Sequence, residues 1–251
     1  MDNYYHYTNI ASFYSIINTN SIWFSSLSYM NDELEGLELK RVLEMILKSS
    51  DSSDEYDPLL NSVKQLSEAF LLDKYLFSAT HLRDDISQWR AYTSVGQGIC
   101  FGFHDDFILD KTINKLGCIY QMESKKQFIQ ERTRFFDYKN SEFQLEKRKN
   151  GSLSGLVDSV LMGMEYFKHE SFSPEKEIRW IDDLNAKGDS EVLYRPHRLG
   201  LMPYRLVSID ASKISEVIIG PQVPKQNIAT LYKLLKENRN IKVISSDVTL
   251  R

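Results

Sequence analysis

The sequence predicts an α+β fold of mixed sheets with inserted helices. Three observations carry that reading. Short runs of β-formers such as YLFSAT, ICFGF and EVIIG recur along the chain. Segments with apolar residues at helical spacing lie between some of them, and the last strands bunch together instead of alternating one to one with helices. At 251 residues and 42% hydrophobic content the chain can bury a sizeable core. No internal repeat divides it, so residues 1–251 read as a single domain with helical insertions around 33–72 and 124–170.

The elements follow in order. NYYHYT at 3–8 is rich in β-formers and reads as a strand. In NIASFYSIINTN, Ile10, Phe13, Tyr14 and Ile17 recur at helical spacing behind a Thr8 or Asn9 cap. SIWFSS reads as a second strand, and YMNDELEG as a turn, with Asn31 and Asp32 capping a helix over 33–48. The polar stretch SSDSSDEYDP at 49–58 reads as a loop, followed by a helix over 58–72 and the strand YLFSAT. DDISQWRAYTSVGQG predicts a capped helix closed by glycine that feeds the strand ICFGF. GCIYQ reads as a short strand, 124–149 as a charge-rich helix and LSGLVDSVLMGMEYFKHE as a more apolar one. EIRWID, EVLYR, YRLVSID and EVIIG read as strands, 225–238 as a helix and IKVISSD as a closing strand.

Composition narrows the function classes. A formal net charge of −4 argues against wholesale coating of nucleic acid, although it leaves room for a local basic groove. The two cysteines, Cys100 and Cys118, form no CxxC or Cys/His cluster, so neither a disulfide framework nor a structural zinc site is expected. The start of the chain lacks the basic and apolar regions of a signal peptide, and no apolar run approaches the ~18 residues that span a bilayer. A cytoplasmic protein without a membrane partner is the expectation.

No Walker pattern, nucleophile elbow or HExxH occurs, and the glycines of GQGICFGF precede a strand instead of joining a strand to a helix. Three clusters could carry chemistry. His6, with Tyr7 and Thr8 beside it, suits either a satisfied core histidine or a contact to a ribose hydroxyl. In SQWRAYTSVGQG, Tyr92 can stack on a flat ring and Arg90 can pair with phosphate or carboxylate, while Trp89 suits a core anchor. In FSPEKEIRW, Glu175 and Glu177 are two apart, so on a strand they point the same way. Such carboxylates can stabilise a developing cation, or Arg179 can simply pair with one of them. No convincing metal cluster is present. Asp32, Glu35 and His6 could form one, but Asn31 and Asp32 fit a helix cap better. The run LEKRKNG fits a solvated helix end or an anion-binding patch.

YHYTNIASFYSIINTNSIWFSS resembles the opening of ADP-ribosyltransferases of the diphtheria-toxin and PARP-like group, whose site is a His-Tyr-Glu triad. The His-x-Thr element followed by a short helix is especially similar to members that act on DNA and tRNA. Over nearly its full length the chain also resembles a bacterial family of unknown function, number 2971, through YHYT, SIWFSS, YMNDELEG, FSATHLRDDISQWRAYTSVGQGICFGF, FSPEKEIRW and EVIIGP. The transferase resemblance implies NAD as substrate. His6 would bind its ribose, Thr8 and Tyr7 would stand beside it, and Ser25 would belong to the second strand that completes the site. Tyr92 would stack on nicotinamide, with Tyr29, Tyr75 and Tyr120 as competitors for that place, and Glu177 would hold a ribose hydroxyl. Glu175 makes a Glu-x-Glu similar to that of arginine-modifying toxins, which leaves open which glutamate is essential. The resemblance implies a mono-ADP-ribosyltransferase acting on a nucleic-acid base or a protein side chain, as a bacterial toxin or antiphage effector with an antitoxin partner. A NAD glycohydrolase and a non-catalytic nucleotide-sensing or partner-binding module are the alternatives.

Overall fold

A computed structural model of the chain describes residues 3–29, 33–48, 63, 70–133, 152–184, 191–197, 200–239 and 241–249. The strands are β1 (Tyr4–Asn9), β2 (Ser21–Ser26), β3 (Lys74–Thr80), β4 (Gly98–Phe103), β5 (Asn114–Gly117), β6 (Glu177–Asp183), β7 (Leu193–His197), β8 (Gly200–Ser208), β9 (Ile214–Ile219) and β10 (Lys242–Ser245). The helices are α1 (Ile10–Thr19), α2 (Glu33–Lys48), α3 (Ile86–Tyr92), α4 (Met122–Thr133), α5 (Ser152–Leu161), α6 (Gly163–Tyr166) and α7 (Lys225–Arg239). Helices and a mixed open sheet make the fold α+β, as the strand and helix patterns predict. The polar stretch 49–58, the run LEKRKNG, the Asn31–Asp32 cap and most of the helix expected over 58–72 lie outside the described residues.

All ten strands join one sheet, in the order β10-β9-β4-β1-β3-β2-β8-β7, with β6 on β3 and β5 on β6. β10 and β9 run parallel, and the other described pairings are antiparallel. The arrangement turns on β3. One edge of β3 is taken along its whole length by β6, from Lys74↔Asp183 to Thr80↔Glu177. The other edge is divided between two strands. β1 meets it only at Tyr5↔Thr80, and β2 only at Ser25↔Leu76 and Ser26↔Tyr75. Between these pairings β1 and β2 part company, β1 going to β4 and β2 to β8. The fork is bridged by α1.

Local chemistry fixes that bridge. Asn9 is extended and its side chain accepts from Ser12 N at 2.7 Å, a cap that contributes about 1 kcal/mol. Phe13, Ile16 and Ile17 form the buried stripe, and Asn20, left-handed at φ 48°, ends the helix before β2. That stripe joins the main core, an aromatic cluster of Phe24, Phe77, Phe101, Phe103, Phe107 and Trp180. α7 covers the same core through Leu231 and Leu235. Strand alternation sends Tyr5, Tyr7, Cys100 and Ile218 to the opposite face, where Trp89 of α3 seals them. Trp89 is fully buried and donates from Nε1 to Asp84 Oδ1 at 2.8 Å. α2, α4, α5 and α6 build a separate cluster around Val42, Val160, Leu161 and Phe167.

Three sequence expectations shift. The helix capped by Asp85 is closed by a threonine and not by glycine: Thr93 is extended, donates to Trp89 O at 2.6 Å and accepts from Gly96 N at 2.9 Å. The apolar helix expected over 153–170 ends at Tyr166, because Tyr166 O and Lys168 N hydrogen-bond the two sides of Ile119 at 2.7 and 3.2 Å. Backbone groups spent on that exchange cannot continue a helix. The same exchange ends the strand expected at GCIYQ, whose ladder instead covers Asn114–Gly117 against β6.

Close backbone contact at the start of β4 demands glycine. A Cβ on Gly98 would press on Thr8 O and come within 2.7 Å of Thr93 Cβ, with backbone on one side and a buried side chain on the other. Gly98→Ala is therefore expected to destabilise the fold by about 1–3 kcal/mol, the usual cost of overpacking. Urea unfolding followed by far-UV circular dichroism measures it.

Candidate functional site

Two cavities meet at the fork, and His6 borders both. The larger, of about 400 Å³, lies between β1, α1 and β2 and is lined by Thr8, Ser12, Ser15, Ser25, Phe77 and Arg195 among others. That volume is in the range of small-molecule sites. The smaller is a recess of about 40 Å³, lined by Tyr7, Ser78, Gln88, Tyr92, Glu175 and Glu177 among others. It admits little more than a water molecule.

His6 sits where β1 leaves β3. Its Nδ1 lies 2.8 Å from the Ser78 carbonyl oxygen, which can only accept, so Nδ1 carries the proton and Nε2 presents a lone pair. Among the described residues Nε2 has no hydrogen-bond partner. The ring packs on Phe77 at 4.6 Å and Phe101 at 5.4 Å between centroids. Burial lowers its pKa to about 4, and the Ser78 bond opposes this only in part. The imidazole is therefore neutral at physiological pH.

Glu177 opens β6 in line with Tyr5 and Thr80, so the three side chains share one face of the sheet. His6 is one residue out of that line, which directs its ring to the face of Phe77. Imidazole and carboxylate thus approach the fork from opposite faces, with the recess bounded by both residues. Glu175 is not on the strand. It ends a 3-10 turn (Glu170–Glu175), and Lys176 is left-handed at φ 47° before β6 begins. Strand alternation therefore does not align the two glutamates.

A lysine brings them together instead. Lys168 Nζ lies 2.7 Å from Glu175 Oε2 and 2.6 Å from Glu177 Oε2. Arg179 Nε bonds Glu177 Oε1 at 2.9 Å, and its Nη1 donates to Glu165 O at 3.1 Å. Burial works to raise the Glu177 carboxyl, but Arg179 and Lys168 hold it below the ordinary carboxylate range. Burial likewise works to lower the Lys168 ammonium, and Glu177 and Glu175 hold it above its ordinary value. Two carboxylates and two cations leave a neutral, hydrogen-bonded group. Nothing in the sequence pattern marks Lys168, because it meets Glu177 only after Ile119 has stopped the preceding helix.

Tyr92 is 46% exposed at the mouth of the recess and donates to Glu175 Oε2 at 3.0 Å. Tyr7 is buried, donates to Leu82 O at 3.0 Å, accepts from Asp85 N at 2.8 Å and packs edge-on to Trp89. It holds α3 and its preceding loop to β1. Thr8 and Ser25 border the larger cavity, whereas Arg90 is exposed and is not among the residues lining either cavity. Of the competing tyrosines, Tyr75 lies in the main core, and Tyr120 OH accepts from Glu177 N at 2.8 Å behind the recess. Arg195, on β7, escaped the sequence reading. Among the described residues no group of three or more His, Cys, Asp and Glu side chains could hold a metal ion, and no helix is long and apolar enough to cross a membrane.

Two outcomes follow from these electrostatics. The imidazole of His6 should titrate by NMR with a midpoint near 4 instead of its ordinary 6.5, the resonance being assigned by its loss in His6→Gln. Because the folded pKa lies below the unfolded one, His6 adds stability that is full above pH 6.5 and is lost as pH falls towards about 4. Replacing Lys168 by Met leaves Glu175 without its cation and buried Glu177 with Arg179 alone, and should cost about 3–5 kcal/mol in urea unfolding. Lys168→Met with Glu177→Gln should cost less than the sum of the single changes.

Comparison with known proteins adds a partial family match. Residues 88–180 match the model of a family described as a protein of unknown function, DUF2971. The matched span runs from α3 into β6 and contains Tyr92, Lys168, Glu175, Glu177 and Arg179, but leaves His6 and the motifs YHYT, SIWFSS and EVIIGP outside. No curated protein and no solved structure matches the chain. What the chain is similar to, over a segment that supplies Gln88, Tyr92, Glu175 and Glu177 to the recess, is that DUF2971 family.

Proposed function

We propose that the chain is a mono-ADP-ribosyltransferase with an ADP-ribosyltransferase-like fold, cleaving NAD and passing ADP-ribose to a nucleic-acid base or a protein side chain. One observation carries the reading. A neutral histidine at a strand fork borders both a cavity of about 400 Å³ and a recess that ends on an ionised carboxylate and an aromatic ring.

The chemistry suits these groups. The bond between ribose C1′ and the pyridinium nitrogen breaks with its electron pair going to nicotinamide, which leaves as a neutral base. Positive charge develops on the ribose, and the acceptor nucleophile then bonds to C1′ and releases a proton. Little proton transfer is needed before the bond breaks. What helps is a slot that fixes the ribose and a carboxylate near the emerging charge. His6 Nε2 can accept from a ribose hydroxyl, and Tyr92 offers an exposed ring at the recess mouth. Glu177 Oε1 has a lone pair beyond the one used by Arg179 Nε, whereas Oε2 accepts from both Lys168 and Arg179.

The second reading, a nucleotide-binding module without chemistry, is favoured by one specific feature: Lys168 and Arg179 together neutralise the charge of Glu175 and Glu177. The two readings part on a single experiment. Purified protein should bind NAD and, given a cell lysate and isotopically labelled NAD, release nicotinamide and label a macromolecule. Nuclease or protease digestion then identifies the acceptor class. Glu177→Gln should abolish turnover while keeping NAD affinity and a cooperative melt. Unchanged turnover in that variant would remove Glu177 from the chemistry. Binding without turnover in the parent protein would leave the module, and nicotinamide release without a labelled macromolecule would mean a glycohydrolase.

A further inference from the structure

The larger cavity holds a cation with no anion. Buried Lys74, Lys125, Lys168 and Arg179 and half-buried Arg205 each rest on a carboxylate. Arg195 does not. Among the described residues its contacts are Ser25 Oγ at 3.1 Å and Met202 Sδ at 3.1 Å from Nη2, and the Trp23 ring with its centroid 5.0 Å from Cζ. Its Nε is buried without a hydrogen-bond partner. A desolvated donor left unpaired costs free energy that an arriving acceptor can recover.

The surroundings are those of an oxyanion site. None of the described residues lining the cavity is acidic, and Thr8, Ser12, Ser15, Ser21 and Ser25 offer hydroxyl donors. Arg195 pairs in register with Met202 on β8, and Ser25 pairs with Tyr204 on the same strand two residues away. The guanidinium therefore reaches diagonally over β8 and is pinned in place by Trp23 and Ser25 before any ligand comes. Planar guanidinium groups fit phosphate oxygens two at a time.

We propose that Arg195, with Ser25, binds the phosphate of a phosphorylated ligand in the larger cavity, in this protein the diphosphate of a dinucleotide. Register also sets its direction. Ser25 is opposite Leu76, and Leu76 shares a sheet face with Ser78, Thr80 and Glu177. A ligand anchored by phosphate at Arg195 thus extends along that face towards Glu177 and the recess, with His6 bordering both cavities. The diphosphate assignment rests on the transferase reading, whereas the anion site itself does not.

Calorimetric titration with ADP-ribose and, separately, with inorganic pyrophosphate tests this. ADP-ribose should bind the parent protein and should lose at least tenfold in affinity with Arg195→Met, less with Arg195→Lys, while Arg195→Met leaves the melting temperature close to that of the parent. Competition by pyrophosphate, itself weakened by Arg195→Met, would identify a general phosphate site. Failure of pyrophosphate to compete, with Arg195-dependent ADP-ribose binding intact, would identify one that also requires the nucleoside. Equal affinity of Arg195→Met and parent for ADP-ribose overturns the proposal, as does absence of binding of both probes to the parent. Arg195-dependent binding of ADP-ribose in a protein that never turns over NAD sinks the transferase reading and leaves the phosphate site standing.

Discussion

A strand edge offers one row of backbone donors and acceptors, and here two strands take opposite ends of the same row. β1 holds Thr80 and β2 holds Tyr75 and Leu76, while β6 occupies the far side of β3 without a break. The middle of the edge has no ladder partner, and buried carbonyls must still be satisfied. The His6 ring meets that need at Ser78. The cavity, the recess and the position of the histidine are all consequences of this division. A sheet in which β1 ran along the whole of β3 would close the gap and leave no room between β1, α1 and β2.

The recess wall depends on a second constraint, the cost of burying charge. Glu177, Arg179 and Lys168 are all buried, and each would be costly alone. They are tolerated because every charge meets an opposite one within hydrogen-bonding distance. Such a group gives position more than stability. It fixes both oxygens of Glu177 and draws Glu175 and, through it, Tyr92 to the same place. The same geometry serves a carboxylate that must stay ionised and aimed.

Much of this was legible in the residues themselves. The strand-helix-strand opening follows from Asn9, from the spacing of Ile10, Phe13 and Ile17, and from the β-formers of SIWFSS, although Tyr14 is exposed and Ile16 takes its place in the buried stripe. Trp89 is the core anchor its size suggests, and Glu177 heads a strand as EIRWID implies. What escaped depends on contacts between distant segments. Lys168 lies in a stretch that local spacing assigns to a helix, and only the exchange with Ile119 turns it towards Glu177. Arg195 looks like one more strand residue in EVLYR until β8 and β2 are laid beside it. The division of β3 has no local signature, since a fork arises from which strands pair and not from what any one of them prefers.

The proton on His6 Nδ1 decides what kind of atom the other nitrogen will accept as a neighbour. With its lone pair outward, Nε2 welcomes a group that brings a hydrogen, such as an alcohol or an amine. It repels one that brings only electrons, such as an ether or a keto oxygen. A ring nitrogen held in one state by a backbone carbonyl thereby acts as a chemical filter at the junction of the two cavities, sorting visitors by the presence of a single hydrogen atom.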